Sequence, residues 1–321
     1  MSEFHFGGEF VWRPSPELIA QSNLQRFIEK HRLGSYEELL RRSTTDIAWF
    51  WDTVLLELAI QFNKPYSRIV DLTQGKPWAK WCVDGEMNIV HNLLDKYADT
   101  PTDNKPAIKS ETEDGTSRTL TYKELREQVD RIANSLRTLG LGKGDAIGVF
   151  MPMVPEIVVA MLAIIKIGGI FLPLFSGFGA AAIVSRLNDA DAKALFTAAG
   201  TYRRGKFCPM KPIADEAAAQ IPTLRDLIVL NQAGEWLIED LRPGSGPPIT
   251  LPGPFDDAPT ERTSAEGPMM IIYTSGTTGK PKGAVHTHCG FPIKSAQDIW
   301  MGLDLHADET LFWMTDMGWM M

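Results

Sequence analysis

Residues 273–283 read YTSGTTGKPKG, and their types and spacing suit one task, holding a polyphosphate. Gly276 and Gly279 allow sharp backbone turns, so that N–H groups can converge on one anion. Thr274, Ser275, Thr277 and Thr278 add hydroxyl donors, and Lys280 and Lys282 add positive charge. A Walker loop would set four residues between its glycines and follow its Lys with Ser or Thr. Here two residues separate Gly276 from Gly279, and Lys280 precedes Pro281. A dinucleotide fingerprint would open a helix straight after its glycines. Pro281 and the β-rich run GAVHTH predict a hairpin-like return instead. The bland alternative is a surface turn rich in small polar residues.

Other groups could do chemistry. FSGFGAAA (175–182) satisfies GxGxxA, but the next strand, ALFTA, ends without the acidic residue that a nicotinamide site needs. A tight strand-to-helix turn, or small residues admitting a flat ligand, are the other readings. RRGK (203–206) sets three cations around a glycine; such a run is usually a solvated face. FSGFG and RRGK are expected to follow adjacent strands of one parallel sheet, and ligands favour the carboxyl ends of such strands. Together they would suit an adenine carrying an extra phosphate, as coenzyme A does at its 3′ position. His286 and His288 would share one face of a strand, with no third metal ligand nearby in sequence. They are expected to be hydrogen-bonded structural histidines. In WMTDMGW (313–319), Asp316 could hold a lysine or position a loop, and the tryptophans could line a pocket or pack. Cys82, Cys208 and Cys289 show no metal-like or redox spacing and read as unremarkable thiols in a reducing compartment.

These candidates must be positioned by regular elements. Residues 12–97 read as helical and irregular. Ser15-Pro16 makes an N-cap, Gly34 ends a run of apolar residues at helical spacing, and Ser35 with Glu38 forms a capping box. The aromatic run Trp49, Phe50, Trp51 reads as core. AIKS and RTLT flank the turn ETEDGTS as a hairpin, and Thr121 with Glu124 caps the helix lined by Leu125, Val129, Ile132 and Leu136. Strands at 146–151, 170–175, 194–198 and 227–230 alternate with helices at 153–168, 180–189 and 211–220. That pattern predicts a helix-covered, mostly parallel sheet, an α/β fold. Residues 242–268 read as an exposed connector to a second sheet, in which a strand, the phosphate loop, a strand, a helix (about 289–301) and a last strand, TLFWMT (310–315), follow in order. The domains expected are a helical extension (1–100), an α/β subdomain (101–241), a connector (242–268) and the start of a second subdomain (269–321).

Composition is that of an ordinary soluble globular chain of 321 residues, 44% hydrophobic and 22% charged. The net charge of −8 argues against nucleic acid as a partner. Lys166, Gly168, Gly169 and Pro173 break the apolar stretch 157–175, so it reads as a buried helix and strand rather than a membrane span. The N-terminus does not read as a secretory signal, and a cytoplasmic location is expected.

The eleven-residue string resembles the signature loop of the adenylate-forming superfamily, which includes acyl-CoA synthetases, adenylation domains of peptide synthetases and beetle luciferases. LTYKELREQVDRIANSLRTLGLGKGD, VFMPMVPEIVVAMLAIIKIGGIFLPL and TDMGW resemble its acyl-CoA synthetase branch. FW, PY, WAKW (78–81) and NIVHNLL (88–94), in that order, are similar to the helical preface of the acetyl-CoA and acetoacetyl-CoA synthetase group. The resemblance implies ATP, Mg²⁺ and CoA as cofactors and a carboxylate, of short chain by the group, as substrate. It implies that the loop grips the ATP phosphates, with Lys282 in a catalytic role. It implies a CoA site at Phe175, Ser176, Gly177, Arg203, Arg204, Gly205 and Lys206. Two positions depart from the group: SGF stands where GGF is usual, and Lys206 stands where Arg is usual, keeping charge but losing bidentate geometry.

Members of the group are about twice this length, with the acyl pocket, the adenine segment, the hinge and a lysine-bearing small domain after TDMGW. The chain is therefore expected to be an N-terminal portion of such a synthetase, inactive alone, or one half of a split enzyme. The rival readings are transfer to a carrier-protein thiol or to oxygen, a non-catalytic nucleotide- or CoA-binding module, and an NAD-dependent enzyme.

Overall fold

A computed structural model describes residues 11–113, 115–251, 256–274 and 281–319. The chain forms two compact units, one of residues 1–60 and 292–313 and one of residues 61–291 and 314–321.

In the first unit the Ser15 hydroxyl accepts the Leu18 N–H at 3.2 Å and starts α1 (Pro16–Gln21), with proline at the first helical position. Ser22 ends α1 and caps α2 (Asn23–Lys30), so the apolar run is two short helices rather than one. α3 (Tyr36–Thr45) and α4 (Ile47–Glu57) follow. The Ser35–Glu38 capping box is only half formed. Ser35 Oγ accepts the Glu38 N–H at 3.2 Å, but the Glu38 carboxylate takes the Gly34 N–H at 2.6 Å. Buried Phe27 gathers Trp49, Phe50 and Trp300 at ring separations of 6.3, 6.4 and 6.0 Å, so this aromatic run packs as expected.

The second unit opens with a hairpin that the sequence did not announce, β1 (Arg68–Asp71) against β2 (Lys80–Val83). α5 (Ile89–Leu93) follows, locked by two asparagines four residues apart. Asn88 donates to the carbonyls of Ile165 and Glu261 at 2.7 and 3.2 Å, and Asn92 exchanges two hydrogen bonds with the Gln61 backbone. β3 (Pro106–Glu111) and β4 (Ser117–Thr121) form the expected hairpin. The Thr121–Glu124 capping box then opens α6 (Tyr122–Thr138), whose apolar face is buried.

A doubly wound region succeeds it: β5 (Ala146–Phe150), α7 (Pro155–Lys166), β6 (Ile170–Pro173), α8 (Ala180–Asp189), β7 (Ala194–Ala198), the excursion β8 (Gly200–Arg203) with β9 (Lys206–Pro209), α9 (Lys211–Ala218) and β10 (Asp226–Leu230). Antiparallel β11 (Trp236–Asp240) and β12 (Ile249–Thr250) extend one edge; β13 (Pro268–Thr274) and β14 (Lys282–Thr287) extend the other. The sheet order is β12-β11-β10-β7-β5-β6-β13-β14. β5 and β7 are buried at every residue, as strands covered on both faces must be. Lys166, at the end of the buried α7, is neutralised by Asp95 and Asp130, each at 2.7 Å.

Three expectations are corrected. β13 is parallel to β6 and continues the same sheet, so no separate second sheet forms among the described residues. Residues 310–315 form no strand, because no neighbouring strand takes up their backbone groups in a ladder. The segment 242–268 is continuously exposed only over 242–250. Ala258, Thr263 and Ala265 are buried, and the Thr263 carbonyl accepts the Met87 N–H while the Ala265 N–H donates to the Gly85 carbonyl.

Candidate functional site

β5, β6, β7 and β13 run parallel, so the segments that follow their last residues emerge at one end of the sheet. These are the turn after β6, the β8–β9 excursion after β7 and the loop after β13. FSGFG and RRGK do not follow adjacent strands, as the sequence suggested. β5 lies between β6 and β7, because the chain steps from β5 to β6 on one side and then crosses to β7 on the other. That reversal creates the crevice in which open α/β sheets hold ligands. Strand spacing sets the turn after β6 about 5 Å from the end of β13 and about 10 Å from the end of β7.

The hairpin-like return is present. β13 and β14 are antiparallel, and Thr274 stands opposite Lys282 at the mouth of the loop. Thr274 is half-buried; Lys282 is exposed and has no ion-pair partner among the described residues. Ser275, Gly276, Thr277, Thr278, Gly279 and Lys280 lie outside the described residues. One residue upstream, the Tyr273 hydroxyl donates to Asp189 at 2.7 Å, tying the strand below the loop to the end of α8. Burial, and then the Asp189 carboxylate, raise the Tyr273 pKa, so the phenol stays protonated and donating. The Arg186 guanidinium lies 4.2 Å from the Phe178 ring centroid and 5.9 Å from that of Tyr273. The turn and the loop strand thus share one packed cluster.

The turn after β6 is held from several sides. The Phe178 N–H closes it on the Phe175 carbonyl at 2.9 Å. The Ser176 N–H donates to Asp316 at 3.1 Å, so Asp316 positions a loop rather than holding a lysine. Phe175 packs against Phe178 and Trp319 at 5.6 and 5.4 Å between ring centroids. Gly318 lies so close that a Cβ there would sit 2.1 Å from the Phe175 nitrogen. Gly177 faces the Phe175 ring, which a Cβ would meet at 2.5 Å.

Arg203 closes β8, Arg204 and Gly205 form the hairpin tip, and Lys206 opens β9, so Arg203 and Lys206 stand opposite each other. Arg204 and Gly205 have positive φ, 52° and 71°. Glu113 steadies the tip by accepting the N–H groups of Arg204 and Gly205 at 2.9 and 3.1 Å. These backbone bonds, Arg204's foremost, hold the Glu113 pKa below the ordinary carboxylate range. The cationic side chains are left exposed.

His286 packs on the Phe291 ring at 4.9 Å, and burial lowers its pKa. His288 is fully buried, accepts the Ile89 N–H on Nδ1 at 3.2 Å, and is pushed down to about 4 by desolvation. It is a structural acceptor that anchors the far end of the β13–β14 hairpin. Three residues escaped the sequence reading: Asp189, Arg186 and Glu113. Asp189 and Glu113 meet partners 84, 91 and 92 positions away, where no local spacing signals them, and Arg186 bridges nearby Phe178 to distant Tyr273.

The mouth of the β13–β14 hairpin and the turn after β6 thus lie at the switch-point end of an α/β sheet, the end at which such sheets hold ligands. Residues 94–321 match the family model of the AMP-binding enzymes, and the chain belongs to that family. Residues 36–93 match the model of the acetyl-coenzyme A synthetase N-terminus. The chain is 37% identical over 308 residues to an acetyl-coenzyme A synthetase of Methanothrix thermoacetophila, covering 94% of this chain and 46% of that one. It is 39% identical over 311 residues to an acetyl-coenzyme A synthetase of Streptomyces coelicolor, covering 95% and 45%. The solved acetoacetyl-CoA synthetase from Streptomyces lividans superposes with a TM-score of 0.86 at 27% identity, covering 97% of this chain and 48% of that one. The chain thus spans a little under half the length of these relatives. Among the described residues no helix is long and apolar enough to cross a membrane.

Proposed function

We propose that this chain supplies the phosphate-gripping and CoA-facing part of an AMP-forming acyl-CoA synthetase. ATP and a carboxylate would give an acyl-adenylate and pyrophosphate, and the CoA thiol would then take the acyl group. The observation that carries this reading is the β13–β14 hairpin. It sets Thr274 opposite Lys282 at the carboxyl end of the sheet, one strand from the turn after β6. Hydroxyls and amides of residues 274–280 would hold the β- and γ-phosphates. Lys282 would offset the charge that builds on departing pyrophosphate. Its exposure, and the lack of an acidic partner among the described residues, fit that role.

Among the described residues no three His, Cys, Asp or Glu side chains converge on a metal site, so Mg²⁺ would arrive on the polyphosphate, whose charge it shields. Phe175, Ser176 and Gly177 would face the adenine of CoA. Arg203, Arg204 and Lys206, around Gly205, would face its 3′-phosphate. The outward-pointing cations fit such an anion, since Glu113 is engaged by backbone N–H groups. In this reading 101–241 is the CoA-side subdomain, 242–268 the connector and 269–321 the start of the ATP-side subdomain. The similarity to acetyl- and acetoacetyl-CoA synthetases supports a short-chain carboxylate, and a cytoplasmic setting suits these metabolites. The remaining catalytic residues would lie elsewhere, in the same or a complementary polypeptide.

Calorimetry on the purified chain with MgATP and with CoA, beside carboxylate-dependent ATP–pyrophosphate exchange, tests this. Binding without exchange is expected. Lys282→Ala should weaken MgATP by about tenfold or more, the scale of one charge-assisted hydrogen bond. Heat from neither ligand would overturn the assignment. Exchange by the chain alone, lost in Lys282→Ala, would keep the chemistry but overturn the expectation that the chain is inactive by itself.

A further inference from the structure

Cys82 and Cys289 are 207 positions apart in sequence, yet the fold brings their thiols together. Cys82 ends up 3% exposed in β2, and Cys289 8% exposed just past β14. The Cys289 thiol lies 3.9 Å from the carbonyl oxygen of Trp81, the residue bonded to Cys82, and it hydrogen-bonds the Cys82 side chain. Backbone bonds hold the two segments in register. The Cys289 N–H donates to the Ala265 carbonyl at 2.9 Å, the Ala265 N–H to the Gly85 carbonyl at 2.9 Å, and the Gly85 N–H to the Cys82 carbonyl at 2.9 Å. A carboxylate oxygen of Glu266 accepts the Trp81 N–H at 2.6 Å. Cys82 adopts φ +46°, a left-handed conformation that a cysteine takes up only when its surroundings impose it.

We propose that Cys82 and Cys289 form an oxidisable dithiol, a modification site at which a small peroxide closes an intramolecular disulfide between the β1–β2 hairpin and the end of the phosphate-loop hairpin. Cys289 is the attacking sulfur. Its thiol is held below the ordinary thiol range, first by the Cys82 hydrogen bond and then, against the cost of burial, by that of Thr287. The Cys289 thiolate attacks one oxygen of hydrogen peroxide, the O–O bond breaks, and hydroxide leaves with a proton as water. The Cys289 sulfenic acid then loses its oxygen, also as water, when the Cys82 sulfur attacks and the S–S bond forms. Two thiols and one peroxide give one disulfide and two waters. Burial selects the oxidant: hydrogen peroxide, little larger than water, can enter where a bulky thiol reagent cannot, whereas exposed Cys208 is open to both. The site is independent of the proposed ligase activity.

The test uses the full chain carrying Cys208→Ser, treated with hydrogen peroxide at neutral pH, then denatured and alkylated. Thirteen methionines will also take up oxygen, so the readout is the thiol count and peptide map rather than intact mass. The expected result is loss of both alkylatable thiols together, a cross-linked peptide joining Cys82 to Cys289, and recovery of both thiols with dithiothreitol. A Cys82→Ser partner variant should instead accumulate irreversible oxygen adducts on Cys289. If that variant does not fold, the parent's peptide map still decides. Two thiols that remain alkylatable after prolonged peroxide, or oxygen adducts on Cys289 without a cross-link, would overturn the proposal.

Discussion

The turn after β6 and the tip of the β8–β9 hairpin are both proposed to face CoA, yet they are built on opposite plans. The turn is enclosed: Phe175 sits between Phe178 and Trp319, Ser176 is tied to Asp316, and the Gly318 backbone presses on Phe175. The tip is open, with exposed cations and a single carboxylate bridging its backbone. The contrast separates two kinds of recognition. An enclosed turn offers shape, and its loss is felt as stability. An exposed basic tip offers charge, and its loss is felt as salt-dependent affinity.

The largest effect should come from closing the gap that the turn depends on. In Gly318→Ala the new methyl would meet backbone, 2.1 Å from the Phe175 nitrogen and 2.4 Å from the Leu174 carbonyl carbon, so no rotamer relieves it. A loss of about 3 kcal/mol in urea unfolding is expected, with amide exchange of Phe175 and Ser176 speeded most. An unchanged midpoint would mean that residues 316–319 do not brace the turn.

His288 should give an effect of similar size, read through pH. Its pKa falls from 6.5 to about 4 on folding, so the unfolded chain binds the proton more tightly. The stability tied to neutral His288 is therefore complete above pH 6.5 and is lost as pH falls toward 4, by about 3 kcal/mol. His288→Asn, which keeps a polar acceptor but cannot titrate, should flatten that part of the pH–stability curve. An equally steep curve in the variant would place the acid sensitivity elsewhere.

Asp316→Ala comes next. It removes the acceptor for both Ser176 N–H at 3.1 Å and Gly318 N–H at 2.8 Å, for about 1–3 kcal/mol. The enclosed turn predicts that CoA affinity falls along with stability. At the tip, Gly205→Ala meets nothing within 4 Å, so its cost is confined to the backbone at φ +71°, about 1 kcal/mol. If Gly205→Ala proves as damaging as Gly318→Ala, the tip is not the open structure described.

How far the sequence reveals these two regions follows from how local their determinants are. Strand, turn and helix around 170–189 are written in apolar runs and small residues, and they appear where expected. So does the β13–β14 return, because Pro281 and β-forming residues act on their own neighbours. The strand order is not local: nothing within β6 or β7 says that β5 lies between them. The strand expected at 310–315 fails for the same reason, since an apolar β-former needs a partner and the described chain offers none. Asp316, Tyr273 with Asp189, and the two buried cysteines act across 84 to 207 positions, where spacing carries no signal. Of these, Asp316 alone stands out in the sequence, because an acid between two tryptophans is conspicuous.

Glu113 sharpens the comparison with the smallest perturbation. Its two carboxylate oxygens take one N–H each, from Arg204 and Gly205, and its pKa is lowered chiefly by those bonds. What it contributes is therefore present above the unfolded carboxylate range and is lost as pH falls through its lowered folded value. Glu113→Gln keeps one acceptor oxygen and removes the negative charge beside Arg203 and Arg204. The unfolding midpoint should not move measurably, because the group is fully exposed. Amide exchange at Arg204 and Gly205 should quicken. If the tip works by charge, CoA should bind the variant slightly more tightly at low salt, and the gain should vanish at high salt. If the tip works by shape, affinity should fall at every salt concentration, because the loop loses half its clasp. Only the first outcome agrees with a tip that recognises phosphate through exposed cations while the enclosed turn supplies the fit.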